Sequence, residues 1–461
     1  VDIDPQATAL PPDSADPTNG DPTDGDPTDG DPTDGDPTDG DPLDEVGQTG
    51  PATPPDAPAT GTAEPVDPSQ DVAAIVQAMT LEQKVGQLFT VPVIGDDATQ
   101  PSQSAQTSNL ALYGVASPAE VVARYHLGGV AYFDHDQGPG TSNVADLTRT
   151  AALSAGLQSA AAADSGIGLL IGTDQEGGPV VRLREPAVVF PSARDIASTG
   201  DTDLARQAGA VTGSEALAVG VNWVYAPVAD VNVDPANPVI GDRAFGATAT
   251  GTLPFVRATA EGLAAAGVLP TLKHFPGHGD TQVDSHNSLP TLDQDRATLD
   301  SVDFPPFAEA ASLDPVSVMV GHLAVPAIDP TGVPATISGP IISTLREELG
   351  FDRLVVTDAM NMGALQGFGD SGTLAVDAIN AGIDMILLPV DLPLAWNTVL
   401  AAVQDGRITQ ERLDEAVTRV LQAKQSIGAL DASAVPAGDP TRLGSAEALA
   451  VLDAITAACA C

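Results

Sequence analysis

From Asp71 onward, short apolar runs rich in β-branched residues alternate about eight times with Ala-rich helical stretches. That count constrains the fold more than any other feature of the chain. The strand-like runs are 85–93, 129–133, 168–173, 222–229, 269–273, 317–322, 354–357 and 384–388. Between them lie helix-like stretches such as 145–163, 202–220, 251–266 and 341–349. Eight such units close an α/β fold of the (β/α)8 TIM-barrel type, with parallel strands inside and helices outside. A doubly wound open sheet is the alternative. It usually carries a Gly-rich phosphate loop after its first strand, and the sequence has none there.

The barrel pattern does not begin at the first residue. Residues 1–68 hold 18 Asp and Glu and no Lys or Arg, and the unit GDPTD repeats between Gly20 and Asp41. So little apolar surface cannot offset chain entropy, so this segment reads as a disordered acidic linker. The barrel is expected over 69–430, and an Ala-rich extension, packing one more helix or trailing along the surface, over 431–461. The chain starts at Val1 without a hydrophobic leader, as a fragment would, or as a mature exported protein whose signal has been removed. An extracellular or cell-surface location is expected from the solvated spacer.

Charge narrows the partners. A formal net charge of −45 repels nucleic acid and anionic membranes. No apolar run approaches the length of a membrane span. The two cysteines, Cys459 and Cys461, sit one residue apart, and pairing them with each other would close only a small, strained ring, so a disulfide framework is not expected to hold the fold. A monomer is expected.

The reactive residues cluster just after the strand runs: TDQEGGPVVRLR (173–184), ADVNVDPANPVIGDRAFG (229–246), KHFPGHGDTQVDSH (273–286), GHL (321–323) and TDAMNMGAL (357–365). In a barrel, all these ends share one face. Each candidate also has a plainer role. Asp358 could cap a following helix. Asp174 could do the same or pair with Arg182, and Arg243 could pair with its neighbour Asp242 on the surface. His278, flanked by glycines, could support its loop through a backbone hydrogen bond. Lys273 is one of only three lysines, and it ends an apolar strand. There it needs a polar ligand or a carboxylate to stay charged.

Acyl transfer lacks its G-x-S-x-G elbow. Metal hydrolysis lacks the usual His spacings, because Pro276 and Gly277 break any helix that would align His274 with His278. Neither a metal nor a cofactor is expected. Glycoside hydrolysis needs a carboxylate on one side of the sugar carbon and a proton donor for the leaving oxygen. Asp358 can be the first. Asp284 and His286 are two apart, so an extended loop points both the same way, and the carboxylate would orient the imidazole as a donor. The alternative is that DSH is a solvated turn.

Together, DQEGG with its following Arg, GDRAFG, KHFPGHGDTQVDSH and TDAMNMGAL resemble glycoside hydrolase family 3, most closely the single-barrel, NagZ-type β-N-acetylhexosaminidases. The likeness runs from about Asp71 to Leu430. It implies that Asp358 is a nucleophile forming a glycosyl-enzyme, and that His286, assisted by Asp284, is the acid/base on a mobile loop. It also implies that Asp174, Arg182, Arg243, Lys273 and His274 hold the sugar. The implied substrate is a terminal β-linked N-acetylglucosamine on a peptidoglycan fragment or chitooligosaccharide. Pro179 departs from the branch, where arginine is common. Three rival readings stand beside this one: a phosphorylase on the same glycosides, a β-glucosidase or xylosidase of the family, and a wall-binding module that has lost catalysis.

Overall fold

Alternate residues along each strand run pack on opposite sides of one closed sheet. The computed structural model describes residue 67 and residues 71–133 and 141–459. Its eight parallel barrel strands are β1 (Phe89–Pro92), β2 (Gly129–Tyr132), β3 (Leu170–Thr173), β4 (Trp223–Val224), β5 (Leu269–Phe275), β6 (Ser317–Val320), β7 (Val355–Thr357) and β8 (Ile386–Leu387). Their order around the sheet is β8, then β1 through β7. A parallel bridge from Val356 to Met385 joins the two ends. The (β/α)8 barrel expected from the eight alternations is therefore the observed fold.

The period of two decides which residues face inward. Ala131, Leu170, Trp223, Leu269, Met319, Val356 and Leu387 form one buried cluster, with Val420 and Ala423 of the helix Gln410–Ser426. Their strand neighbours Val130, Ile171, Val224, Val318, Val355 and Ile386 belong to a second cluster. This outer set packs beneath the surrounding helices, through residues such as Leu153, Ala205, Val256 and Val399. Burying one such aliphatic side chain contributes roughly 1.5–3 kcal/mol. Inside the barrel the Trp223 indole N–H donates to the hydroxyls of Thr271 (2.8 Å) and Ser317 (3.1 Å).

Two sequence expectations change. The run 85–93 begins as a helix, Leu81–Gln87. Thr80 caps it: its hydroxyl accepts from the Gln83 N–H at 3.2 Å, and the Gln83 side chain accepts from the Thr80 N–H at 3.0 Å. Val85 is buried in either conformation, so hydrophobicity alone could not tell them apart. In 222–229 regular pairing is confined to Trp223–Val224, with Val228 rejoining Lys273 by a single bridge. Pro227 lies between and has no N–H to give.

The segment 1–68 lies outside the described residues apart from Asp67. Within 431–459 the chain does pack a further helix, Ala446–Ala458, capped by Ser445 and burying Ala448 and Ile455. Cys461 lies outside the described residues.

Candidate active site

The C-terminal ends of β3 to β7 carry the charged residues picked out in the sequence. After β3, the chain makes a small hairpin, Gln175–Gly177 against Val180–Val181. Gly177 and Gly178 turn it at φ of 90° and 55°, where a side chain is strained. The Gln175 side chain fastens its return, accepting from the N–H groups of Arg182 (3.0 Å) and Leu183 (2.9 Å). Arg182 thus comes back beside Asp174, 3.9 Å away. The Arg182 Nε is buried and has no acceptor among the described residues.

Lys273, near the C-terminal end of β5, is almost fully buried. Its ammonium lies 2.7 Å from Asp174 and 2.6 Å from Glu176. Arg243 grips the same Glu176 through two parallel contacts of 2.8 Å each. Burial would lower the pKa of Lys273, but the charges of Asp174 and Glu176 outweigh it and hold the lysine above its ordinary value. Burial would raise Glu176, yet Arg243 and Lys273 hold it well below the usual carboxylate range. The expected surface pair of Arg243 with Asp242 does not form: Asp242 pairs with Arg194 at 2.6 Å. Glu176 is buried and presents both its oxygens to the Arg243 fork, whereas the Asp242 carboxylate stays exposed beside Arg194.

His274 is fixed by Asp230, whose carboxylate accepts from the His274 backbone N–H (3.1 Å) and lies 2.8 Å from its Nδ1. The same carboxylate accepts from the His278 N–H at 2.7 Å. Asp358 follows β7 directly. It caps no helix: its Oδ1 accepts from the next N–H, of Ala359, at 2.8 Å, and the next α-helix is capped by Asp370. Burial pushes the Asp358 carboxyl up, but His274, His322, the Ala359 N–H and Lys273 together hold it below its ordinary value. It is a carboxylate whose charge is favoured by the nearby cations of β5.

Asp284 and His286 also pair: Nδ1 lies 2.7 Å from Oδ1, which accepts the His286 N–H as well, at 2.9 Å. The reading of DSH as a solvated turn is half right, since the ring is more than half exposed. The loop's backbone is nevertheless docked, as Gly363 and Ala364 donate their N–H groups to the carbonyls of His286 (3.0 Å) and Ser285 (3.1 Å). Two glycines of the loop are required for close approach: a Cβ at Gly279 would lie 1.9 Å from the Val231 carbonyl, and one at Gly277 would lie 2.8 Å from Asp303.

Four residues of this end were not singled out in the sequence. Glu176 stands two places after Asp174, on the same side of an extended segment, and Asp174 alone could not balance Lys273, Arg182 and Arg243. Asp230 lay in a quoted run without a role. His322, in GHL, is buried with Nδ1 3.0 Å from the Thr336 hydroxyl and Nε2 3.0 Å from the Ala359 carbonyl, so it holds the peptide next to Asp358. Asp303 is buried with one oxygen that has no partner among the described residues, and burial, then Asp230 and Asp280, push it up to about 7. No sequence signal marked it. Among the described residues, no three His, Cys, Asp or Glu are placed to hold a metal ion.

Residues 80–423 match the model of the glycosyl hydrolase family 3 N-terminal domain. The beta-hexosaminidase A of Pseudoalteromonas piscicida is 35% identical over 342 residues, which cover 68% of this chain and 56% of that one. The chain thus spans little more than half the length of that relative. The beta-hexosaminidase LpqI of Mycobacterium tuberculosis is 32% identical over 391 residues, covering 82% of this chain and 91% of that one. The structure of a glycoside hydrolase family 3 beta-N-acetylglucosaminidase from Paenibacillus sp. str. FPU-7 aligns with a TM-score of 0.73 at 38% identity. That alignment covers 83% of this chain and 69% of that one.

Proposed function

Because the chain belongs to glycosyl hydrolase family 3, we propose that it is a retaining β-N-acetylhexosaminidase. Its substrate in this reading is a terminal β-linked N-acetylglucosamine on a peptidoglycan fragment or a chitooligosaccharide. The observation that carries the reading is one strand-end mouth holding an ionised, lightly bonded Asp358, the Lys273–Asp174–Glu176–Arg243 cluster and the His286–Asp284 pair.

An Asp358 oxygen attacks the anomeric carbon as the bond to the leaving oxygen breaks. That oxygen takes the proton from the His286 imidazolium, while Asp284 orients the ring. The sugar is then held as an ester of Asp358. His286, now neutral, takes a proton from water as the water attacks the same carbon, and the ester bond breaks to return the carboxylate. Asp174, Arg182, Lys273 and His274 hold the sugar's hydroxyl and amide groups. Arg243, tied to Glu176, completes the cationic wall. Groups fixed in advance hold the ring in the distorted shape of the transition state, and the Asp358 carboxylate offsets the positive charge that develops on it. The names of the relatives, beta-hexosaminidase and beta-N-acetylglucosaminidase, support the amino sugar as substrate.

The test is incubation with chitobiose, defined muropeptides and a panel of nitrophenyl glycosides, with and without phosphate, products read by mass spectrometry. Free N-acetylglucosamine under both conditions is the expected product. Sugar 1-phosphate would make the protein a phosphorylase. Cleavage of the glucoside or xyloside in preference would move it to another branch of the family.

A further inference from the structure

The Asp284–His286 arm is held from two sides by residues outside the proposed sugar-holding set. Ser285 lies between Asp284 and His286, yet it is buried where His286 is exposed. Its hydroxyl is 3.0 Å from Nε2 of His278. The other nitrogen of that ring, Nδ1, is 2.6 Å from the Thr281 hydroxyl. Thr281 gives its own proton to the His278 carbonyl at 3.0 Å. The hydroxyl is therefore the acceptor from Nδ1–H, and Nε2 carries the lone pair that accepts from Ser285. His278 is neutral near neutral pH: burial first, then His274, pushes it down to about 4 against the opposing charges of Asp230 and Asp358. Its backbone is anchored twice more, the N–H to Asp230 (2.7 Å) and the carbonyl from Asn237 (2.8 Å).

The second side is the turn that follows Asp358. Gly363 and Ala364 give their N–H groups to the two carbonyls of the arm. Gly363 is needed for approach rather than for backbone conformation: a Cβ there would lie 2.6 Å from the His286 carbonyl and 2.7 Å from that of Asn287. No reshaping of a flexible side chain could relieve those contacts, because both are backbone atoms.

We propose that His278, Ser285 and Gly363 are positioning residues for the acid/base step, forming a seat that ties the His286–Asp284 arm to the wall of β5 and to the segment bearing Asp358. The proposal rests on the glycosidase reading above. The seat does not take part in proton transfer. It fixes where the imidazole stands when the leaving oxygen needs its proton, and small misplacements of a catalytic group are costly.

The experiment compares Gly363→Ala, Ser285→Ala and the control Gly339→Ala, whose added methyl would meet no atom within 4 Å. Each is assayed for kcat/KM on chitobiose, whose leaving group needs a proton, and on the dinitrophenyl N-acetylglucosaminide, whose leaving group does not. Gly363→Ala is expected to lose roughly 100-fold on chitobiose, and Ser285→Ala roughly 10-fold, each with under about 3-fold loss on the dinitrophenyl substrate. The limb of the pH profile assigned to the acid should shift in both variants and stay in place in the control. Ser285→Ala adds no bulk, so it keeps the test alive should Gly363→Ala fold poorly. Equal losses on both substrates, or none on either, would overturn the seat while leaving the glycosidase reading intact. A wild-type protein that cleaves neither substrate would sink that reading and the seat with it.

Discussion

The two ends of the barrel bury charge in different ways. At the N-terminal ends of β7 and β8, Asp384 is fully buried among three guanidiniums. Arg412 and Arg419 reach one of its oxygens at 3.1 and 3.2 Å. Arg346 and the Val355 N–H take the other, the latter at 3.0 Å. Arg412 and Arg419 are further held by Glu415 at 3.1 and 2.6 Å. At the C-terminal ends, Lys273 and Arg243 share Glu176 just as tightly, but the set is left open. Arg182 keeps a buried donor without an acceptor, and Asp358 accepts one hydrogen bond among the described residues. A saturated cluster can only hold the fold together. An unsaturated one on the face where barrel loops converge has capacity left for a ligand.

Asp358→Ala should break the open end most. Turnover of a nitrophenyl N-acetylglucosaminide is expected to fall by about 10⁴-fold or more, with the melting midpoint moved by only a few degrees. Substantial residual activity would remove Asp358 from the reaction.

Asp384→Ala should do the reverse. It leaves three guanidiniums buried against one another, and breaking such a cluster typically costs about 3–5 kcal/mol. The loss is to be read from chemical denaturation, with kcat per folded molecule unchanged. If kcat drops while stability holds, the division between the two ends is wrong.

Lys424 gives the smallest and sharpest effect. It is fully buried at the closed end, with the Gln87 side-chain oxygen 2.5 Å from its ammonium. Burial alone pushes it down to about 7 from an ordinary 10.5. Between those values the unfolded chain binds more protons, so this group's contribution is full above about pH 10.5 and is lost as pH falls through 7. From pH 7 to 9 the wild type should gain roughly 2 kcal/mol relative to Lys424→Met, which has no proton to lose. Parallel stability curves for the two proteins would show that the lysine finds a solvated or paired environment.

Most of the architecture was legible in advance because a parallel barrel strand is buried on both faces and reads as an unbroken apolar run. The error at 85–87 arose because a buried helix end has the same composition, and only the Thr80–Gln83 cap distinguishes it. In the site, Asp174, Lys273 and Asp358 stood out as polar residues at apolar strand ends, Asp284 and His286 by their spacing of two, and Arg182 and His274 as sugar-holding residues only through the resemblance. Glu176, Asp230 and His322 did not, because each acts through a partner far away in sequence. Arg243 was legible as a charge but not as a pair, since its neighbour Asp242 is adjacent only along the chain.

The sequence by itself determined the eight-fold alternation, the acid-rich composition and the strand ends at which reactive groups would emerge, because periodicity and composition are local properties. Only the tertiary structure decided which charges meet. Whether Arg243 finds Asp242 or Glu176, and whether Ser285 finds water or His278, depends on distances between segments tens of residues apart. Burial then makes the choice binding, since a charge or hydroxyl removed from water must take the partner the fold supplies.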